Sequence, residues 1–316
     1  MFFVLSGFLI TRILIKSRNS TNYFKNFYVR RILRILPAYY LFLFVFFFIC
    51  PRVPTLAKLF PIEKSHFSWH LLFVSNLLFS KLSYYPGYIV DVSWSLSIEE
   101  QFYIFWPLMV WRLSLKQLRW TCLFLLLSSQ ILICFEFLKS GNLSSTYFFT
   151  LTRWDGILVG SALAASMAEP SFLKNLIRHR TTVLRLSLCL SVVAFTKGIH
   201  TSSPLIQILG FPSLAVFFGC LISKLTEPSS VYRFFAQQPL MILGKYSYGL
   251  YLFHKPIVII LNKVWMKHFH FPFFERIPDV TMLLFQIISV LASLLFALVL
   301  FRLYERPFLK LKEHFQ

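Results

Sequence analysis

Asp91-Val-Ser-Trp-Ser-Leu-Ser-Ile-Glu-Glu-Gln-Phe-Tyr-Ile-Phe-Trp-Pro107 sets two adjacent carboxylates, Glu99 and Glu100, at the mouth of a segment otherwise built for lipid. Wound as a helix, it carries Ser95, Glu99, Tyr103 and Trp106 on one face, at i, i+4, i+8 and i+11. An ionisable side chain inside a bilayer is costly, so a carboxylate there calls for a partner or a purpose. Pro107 removes one backbone donor and crowds the Tyr103 carbonyl, which leaves an acceptor on that same face. The plainer alternative for Glu100 is a capping box, Ser97-x-x-Glu100, that closes the helix N-terminus reciprocally.

The composition around this stretch decides what kind of body it sits in. Of 316 residues, 57% are hydrophobic, 19% aromatic and 14% charged, and the mean hydropathy is +0.67. Soluble domains carry about 25% charged residues, so the balance points to a polytopic membrane protein. Length alone would allow about two soluble domains, but the apolar segments follow one another too closely for that. A net charge of +20 raises nucleic acid as a partner. The basic residues, however, sit in short loops between apolar runs, which is the pattern of topology signals and anionic-lipid contact. Cys50, Cys122, Cys134, Cys189 and Cys220 lie in or at the end of apolar segments without CxxC spacing. They read as small core residues, with neither a disulfide framework nor a zinc site. No basic residue precedes the first apolar run, so no secretory signal is read.

Apolar runs predict spans at 1–15, 38–50, the central helix to about 113, 120–138, 147–168, 183–196, 205–225, 246–264 and 281–301. The first is short for a crossing of roughly 20 residues. A basic stretch with Arg30, Arg31 and Arg34 leads into the second. Arg31 and Arg34 are neighbours on a helical face, and they read either as a positive-inside anchor or as a fork of guanidiniums for phosphate or carboxylate. The run 67–80 is too short to span comfortably and reads as re-entrant or interfacial. His66 and His70 stand four apart with no carboxylate or cysteine at ligand spacing, which argues against a metal. Arg153 and Asp155, two apart, would not face each other on one helix and are each expected to pair elsewhere. His254 sits inside a span just before Lys255 and Pro256, where a proline kink gives a polar residue room for a role. With the chain starting outside, most basic residues fall on the inner side. The expected fold is all-α: a polytopic membrane helical bundle of about nine transmembrane helices plus one short re-entrant or interfacial segment.

Six blocks together carry a resemblance: Phe2-Phe-Val-Leu-Ser-Gly-Phe-Leu-Ile10, Phe27-Tyr-Val-Arg-Arg-Ile-Leu-Arg-Ile-Leu-Pro37, Ser93-Trp-Ser-Leu-Ser-Ile-Glu-Glu-Gln-Phe-Tyr103, Arg153-Trp-Asp-Gly-Ile-Leu-Val-Gly160, Tyr246-Ser-Tyr-Gly-Leu-Tyr-Leu-Phe-His-Lys-Pro256 and Tyr304-Glu-Arg-Pro307. In order and over nearly the whole chain, they resemble the signature blocks of the acyltransferase 3 family. These are integral-membrane O-acyltransferases whose bacterial members acetylate O-antigen and other polysaccharides. The resemblance implies a multi-pass protein of the bacterial inner (cytoplasmic) membrane. It also implies a cytoplasmic acyl-CoA donor, acetyl-CoA in the first place, and transfer to a hydroxyl of a cell-surface carbohydrate such as lipopolysaccharide or a lipid-linked glycan.

No permanently bound cofactor, metal or nucleic acid is implied. Arg30, Arg31 and Arg34 would hold the donor's phosphates. Glu99 and Glu100 would act at the acceptor end, with His254 beside them as a family histidine, though not the family's catalytic base. Trp94, Ser95, Tyr103, Arg153 and Asp155 would contact substrate. Family members begin with a further helix bearing an Arg and, eleven positions on, the His taken as catalytic base. This chain opens on the second helix. The expectation is therefore a single membrane acyltransferase domain over 1–316, N-terminally incomplete, with little or no turnover as written.

Two rivals stand beside this reading. A transporter would also gather intramembrane Arg, Glu and His, but it predicts matching interrupted helices in two halves, and the Glu99-Glu100 helix has no counterpart. A non-catalytic membrane scaffold would keep the architecture without the chemistry. The order Gly244-Lys-Tyr-Ser247-Tyr-Gly249 has one residue too many before the serine for a nucleophile elbow, and no phosphate-binding loop is present.

Overall fold

A backbone surrounded by lipid must satisfy its own hydrogen bonds, and helices do so within one segment. In the computed structural model, which describes residues 1–198, 203–268 and 278–315, every regular element among the described residues is helical. In chain order these are α1 (Phe2–Ser17), α2 (Tyr23–Phe44), α3 (Pro54–Leu59), α4 (Phe67–Leu71), α5 (Ser75–Leu82), α6 (Trp94–Arg112), α7 (Leu115–Ser140) and α8 (Thr150–Arg153). They continue with α9 (Asp155–Met167), α10 (Pro170–Lys197), α11 (Phe211–Leu225), α12 (Ser230–Phe235), α13 (Gln238–His268), α14 (Pro278–Leu300) and α15 (Arg306–Leu311).

Among the described residues, four helical stretches are long and apolar enough to cross a membrane: Tyr23–Arg52, Leu115–Ser140, Ile206–Leu225 and Thr281–Leu311, with Asp155–Met167 apolar but shorter. The other expected spans are helical too, but they are short or carry charges. α6 holds Glu99 and Glu100, and α13 holds Lys245, Lys255 and Lys263.

Several expected boundaries move. The basic stretch with Arg30, Arg31 and Arg34 is not a flank, because it winds into the same helix as the aromatic run that follows. Likewise the loop at 174–185 and the span at 183–196 form one helix, α10, since nothing between Pro170 and Lys197 breaks it. The run 67–80 divides into α4 and α5 at Phe73, which takes a left-handed φ of 55°. The capping box Ser97-x-x-Glu100 is displaced. A turn of 3-10 helix over Ile89–Ser93 leads directly into α6 at Trp94, so Ser97 lies inside the helix, and its hydroxyl meets that of Ser75 at 3.0 Å. The span expected at 147–168 is broken at Trp154 into α8 and α9.

The chain divides into two interleaved units. The first comprises Met1–Phe24, Leu72–Pro86 and Trp94–Phe235. In it α1 lies along α9 at glycine distance: a Cβ on Gly7 would collide with the Ile157 carbonyl, and one on Gly160 with the Val4 carbonyl. Gly156 and Gly160 form the small-xxx-small pattern that lets helices approach this closely in a membrane.

Cross-helix contacts set the directions within this unit. Ser6 meets Tyr103, Thr11 meets Trp106, and Arg18 caps the Val110 and Leu113 carbonyls, so α1 and α6 run parallel. Arg119 on α7 reaches Ala165 near the end of α9, while Ser129 reaches Thr152 before its start, so α7 runs opposite. Ser191 with Ser213, and Arg180 with Ser223 and Glu227, set α10 against α11. One end of this unit therefore carries Lys16, Arg18, Arg112, Lys116, Arg119 and Arg180, and the other carries the loop 141–149 and the start of α6.

The second unit comprises Lys25–Leu71, Gly87–Ser93 and Ala236–Gln316. Here Tyr248 of α13 donates to the Ile35 carbonyl of α2 at 2.8 Å, and Phe253 packs edge-on against Phe42. The residues 301–305 form a π-turn that carries the buried Glu305.

Candidate active site

Within the first unit, α6 turns its signature face toward α1. Glu99 is 2% exposed and accepts from the Tyr103 hydroxyl at 3.2 Å, and Tyr103 in turn meets the Ser6 hydroxyl. One turn further on, the Trp106 indole donates to Thr11 Oγ1 at 2.7 Å. The face expected from spacing is therefore formed, and hydroxyls of an otherwise apolar helix complete it. Ser95 is buried at its N-terminal end. Glu100 is half-buried and points about 100° away from Glu99. Gln101 faces a third direction. Its amide donates to the Phe73 carbonyl at 2.8 Å and to Asn76 Oδ1 at 2.9 Å, and Thr150 donates to its oxygen at 2.6 Å. This buried amide network holds α5 and α8 against α6, and so fixes the rotation that aims Glu99.

Arg153 and Asp155 do meet, contrary to the expectation. They are not on one helix: α8 ends at Arg153, and Trp154 turns the chain into α9, bringing Arg153 Nη1 within 3.8 Å of Asp155 Oδ2. The guanidinium lies over the Phe211 ring at 4.1 Å, with Tyr147 at 5.1 Å and Phe3 at 5.9 Å. Trp94 shares two of these rings, Tyr147 at 5.3 Å and Phe3 at 6.4 Å. The structure thus brings Trp94, Arg153 and Asp155 into one aromatic box, and Glu99, Tyr103 and Ser6 into one hydroxyl relay.

The remaining sequence-derived residues, Arg30, Arg31, Arg34 and His254, belong to the second unit. Arg34 lies within electrostatic reach of Glu305. Burial, and then the guanidiniums of Arg30, Arg31 and Arg34, hold the Lys312 amine below the usual lysine range. A fourth cation therefore stands with the three arginines. His254 Nδ1 is 2.7 Å from the Tyr251 carbonyl of its own helix, which fixes the ring. Lys255 donates to the Gly87 and Tyr88 carbonyls at 2.7 and 2.6 Å. In the same unit His70 Nδ1 lies 2.8 Å from Ser93 Oγ, and its Nε2 is 4.0 Å from Asp91 Oδ1, all three being fully buried.

Sequence reasoning missed Ser6, Thr11, Tyr147 and Lys312. The first two had a signal, since hydroxyls in an apolar helix ask for partners. Tyr147 and Lys312 had none, as an aromatic at the edge of an expected span and a charged tail are ordinary in any sequence.

The model of the family described as an acyltransferase domain matches residues 1–302. The chain belongs to the acyltransferase 3 family. Among curated members of the family, it is 34% identical over 84% of its length to "Putative peptidoglycan O-acetyltransferase YrhL" of Bacillus subtilis (strain 168), covering 44% of that protein. It is 29% identical to the peptidoglycan O-acetyltransferase OatA of Listeria monocytogenes, over 84% of this chain and 45% of the relative. It is also 29% identical to the O-acetyltransferase OatA of Staphylococcus aureus (strain NCTC 8325 / PS 47), over 98% of this chain and 52% of the relative. The chain thus spans about half the length of the curated relatives it matches. Where those names state an acceptor it is peptidoglycan, and they lend no support to lipopolysaccharide. No solved structure matches the chain.

Proposed function

We propose that this acyltransferase chain moves an acetyl group from acetyl-CoA on the cytoplasmic face of a bacterial inner membrane to a hydroxyl of a cell-wall carbohydrate on the other face. The acceptor class follows the relatives' printed names, peptidoglycan first. The observation that carries the reading is the buried Glu99 held by Tyr103 and Ser6 inside the block Ser93–Tyr103. A carboxylate sequestered in an apolar helix, with a hydroxyl relay beside it, is equipped to orient a sugar hydroxyl and take up its proton. The sugar oxygen attacks the thioester carbonyl, the C–O bond forms and the C–S bond breaks, and the proton leaves with the sulfur as the CoA thiol. Glu100 serves the acceptor end, with Trp94, Ser95, Tyr103, Arg153 and Asp155 around the substrate. His254, its ring fixed by the Tyr251 carbonyl, is a proton-bearing group of the second unit.

For the donor, Arg30, Arg31 and Arg34 supply planar forks that suit phosphate, and Lys312 adds a point charge. The basic end of the first unit, with Lys16, Arg18, Lys116 and Arg119, supports placing that end inside. Nine spans and a multi-pass inner-membrane location belong to the same reading.

Membranes containing the chain, supplied with acetyl-CoA labelled in the acetyl group and with peptidoglycan fragments, should yield alkali-labile ester acetate. Glu99→Gln should abolish the product while leaving the protein in the membrane. Undiminished product from Glu99→Gln would remove Glu99 from the mechanism. No ester from the wild type, alone or joined to the rest of a full-length relative, would overturn the transferase reading.

A further inference from the structure

Beyond the carboxylate and its relay, the first unit holds a cleft of about 400 Å³ walled by Tyr84, Tyr85, Trp94, Tyr147, Ser83 and Ser144, with Phe148 behind them. Nothing on its lining carries a charge. That removes phosphate, CoA and anionic lipid headgroups from the occupants it suits. What it offers is aromatic faces and hydroxyls together: Tyr84 is 57% exposed and Tyr85 42% exposed, while Trp94 and Tyr147 are half-buried.

Both walls are pre-formed. Ser83 takes a left-handed φ of 58° at the end of α5, which turns Tyr84 and Tyr85 out of the helix line, and Tyr85 stacks parallel on Phe148. The opposite wall is the loop 141–149. Buried Gln207 donates to the Leu143 carbonyl at 2.8 Å and accepts from Thr146 at 2.7 Å, and Ser144 donates to Asn142 Oδ1 at 2.8 Å. A site with fixed walls spends little binding energy on ordering itself.

Its place in the fold is equally definite. The cleft opens at the end of the first unit opposite Lys16, Arg18, Lys116 and Arg119, the end that charge bias puts outside. Trp94 also begins the helix that carries Glu99 five residues on, about 7.5 Å along the axis.

We infer that this cleft is a binding subsite for the pyranose rings of a neutral glycan. A pyranose presents apolar C–H faces and hydroxyl edges on one rigid ring, the combination that amphipathic aromatics and serine hydroxyls complement. A lipid tail would leave the Tyr84 and Tyr147 hydroxyls without a match. The inference deepens the transferase reading, since it names where the acceptor sits before it reaches Glu99.

The test uses the full chain in lipid nanodiscs and isothermal titration with chitotetraose, an N-acetylglucosamine oligomer, with no acyl donor present. Saturable binding is expected. Tyr84→Ala, at an exposed position, and Tyr147→Ala should each weaken it about tenfold, with helix content and elution volume unchanged. Absence of binding by the wild type, or equal affinity in a folded Tyr84→Ala variant, overturns the subsite. So does heat released by diacylglycerol and not by the oligosaccharide. Because donor is absent, the result separates from the transferase reading. Glycan binding that is lost in Tyr84→Ala sustains the subsite even where no ester forms. Ester formation with an acceptor KM unmoved by Tyr84→Ala sustains the transferase and overturns the subsite.

Discussion

Two polar clusters, one in each unit, are held by different means. In the first, Glu99 is met by neutral donors, Tyr103 and beyond it Ser6, and the neighbouring polar atoms of Trp106, Thr11, Gln101, Asn76 and Thr150 are paired side chain to side chain. In the second, like charges are gathered: burial first, and then Arg30, Arg31 and Arg34, depress the pKa of Lys312, with Glu305 as a counter-charge to Arg34. A carboxylate held by hydroxyls is oriented and kept dry, which suits proton transfer. A knot of cations raises the local positive potential, which suits the phosphates of a donor. On the proposed function, the two halves of the transfer reaction would fall to these two differently built places.

The largest effect expected is at the carboxylate. If the neutral relay orients a working base, Glu99→Gln should lower transfer by about 10²–10⁴-fold, and Glu100→Gln by much less, as read by ester-linked acetate. Equal losses in the two variants would erase the distinction between the buried and half-buried acids.

Next in size is the seam that presents the relay. Gly160→Leu places side-chain atoms against the Val4 carbonyl and the Phe8 backbone, overpacking that costs about 1–3 kcal/mol or prevents assembly. A detergent melt should show it, and an unchanged melting temperature would mean that α1 and α9 are not held at glycine distance.

The cation knot should respond differently. Arg34→Lys keeps the charge and loses the fork, so the donor KM should rise about tenfold with the acceptor KM unmoved. A rise in the acceptor KM alone would reverse the assignment of the two places.

Trp106→Phe removes the donor to Thr11 and should cost about 1 kcal/mol of stability, visible as a small shift of the same melt.

The smallest effect is one of pH. The Lys312 amine, held low by burial and its three arginines, loses its proton at lower pH than a free lysine. A bound phosphate favours the protonated form, so donor affinity should decline as pH rises through that lowered pKa, by no more than about fivefold. Lys312→Met should flatten the slope.

Much of this was legible beforehand, and the failures have physical reasons. The face Ser95, Glu99, Tyr103 and Trp106 follows from helical period alone, and α6 forms it. The capping box at Ser97 failed because a 3-10 turn over Ile89–Ser93 starts the helix earlier, and a local signal cannot see the turn before it. The separation of Arg153 from Asp155 failed because it assumed one helix where Trp154 divides two. The nine-span count rested on hydropathy; among the described residues four of its spans have the length and apolarity of a crossing, while α6 with its two acids and α13 with its four lysines fall outside that measure. The aromatic cleft was half visible: Trp94 was singled out, while Tyr147 read as the start of the span 147–168.

By itself the sequence determined that the chain is helical and apolar, that its basic residues favour one side, and that Glu99 lies on a face with Tyr103 and Trp106, because these depend only on composition and a period of 3.6. Only the tertiary structure decided who meets that face. Ser6 and Thr11 lie more than ninety residues upstream, Tyr147 reaches the cleft from the loop 141–149, and Gln207 holds that loop from farther along the chain. Those pairings are set by where glycines let α1 and α9 touch and by how a buried amide network rotates α6, and packing of that kind leaves no periodic trace in any one segment.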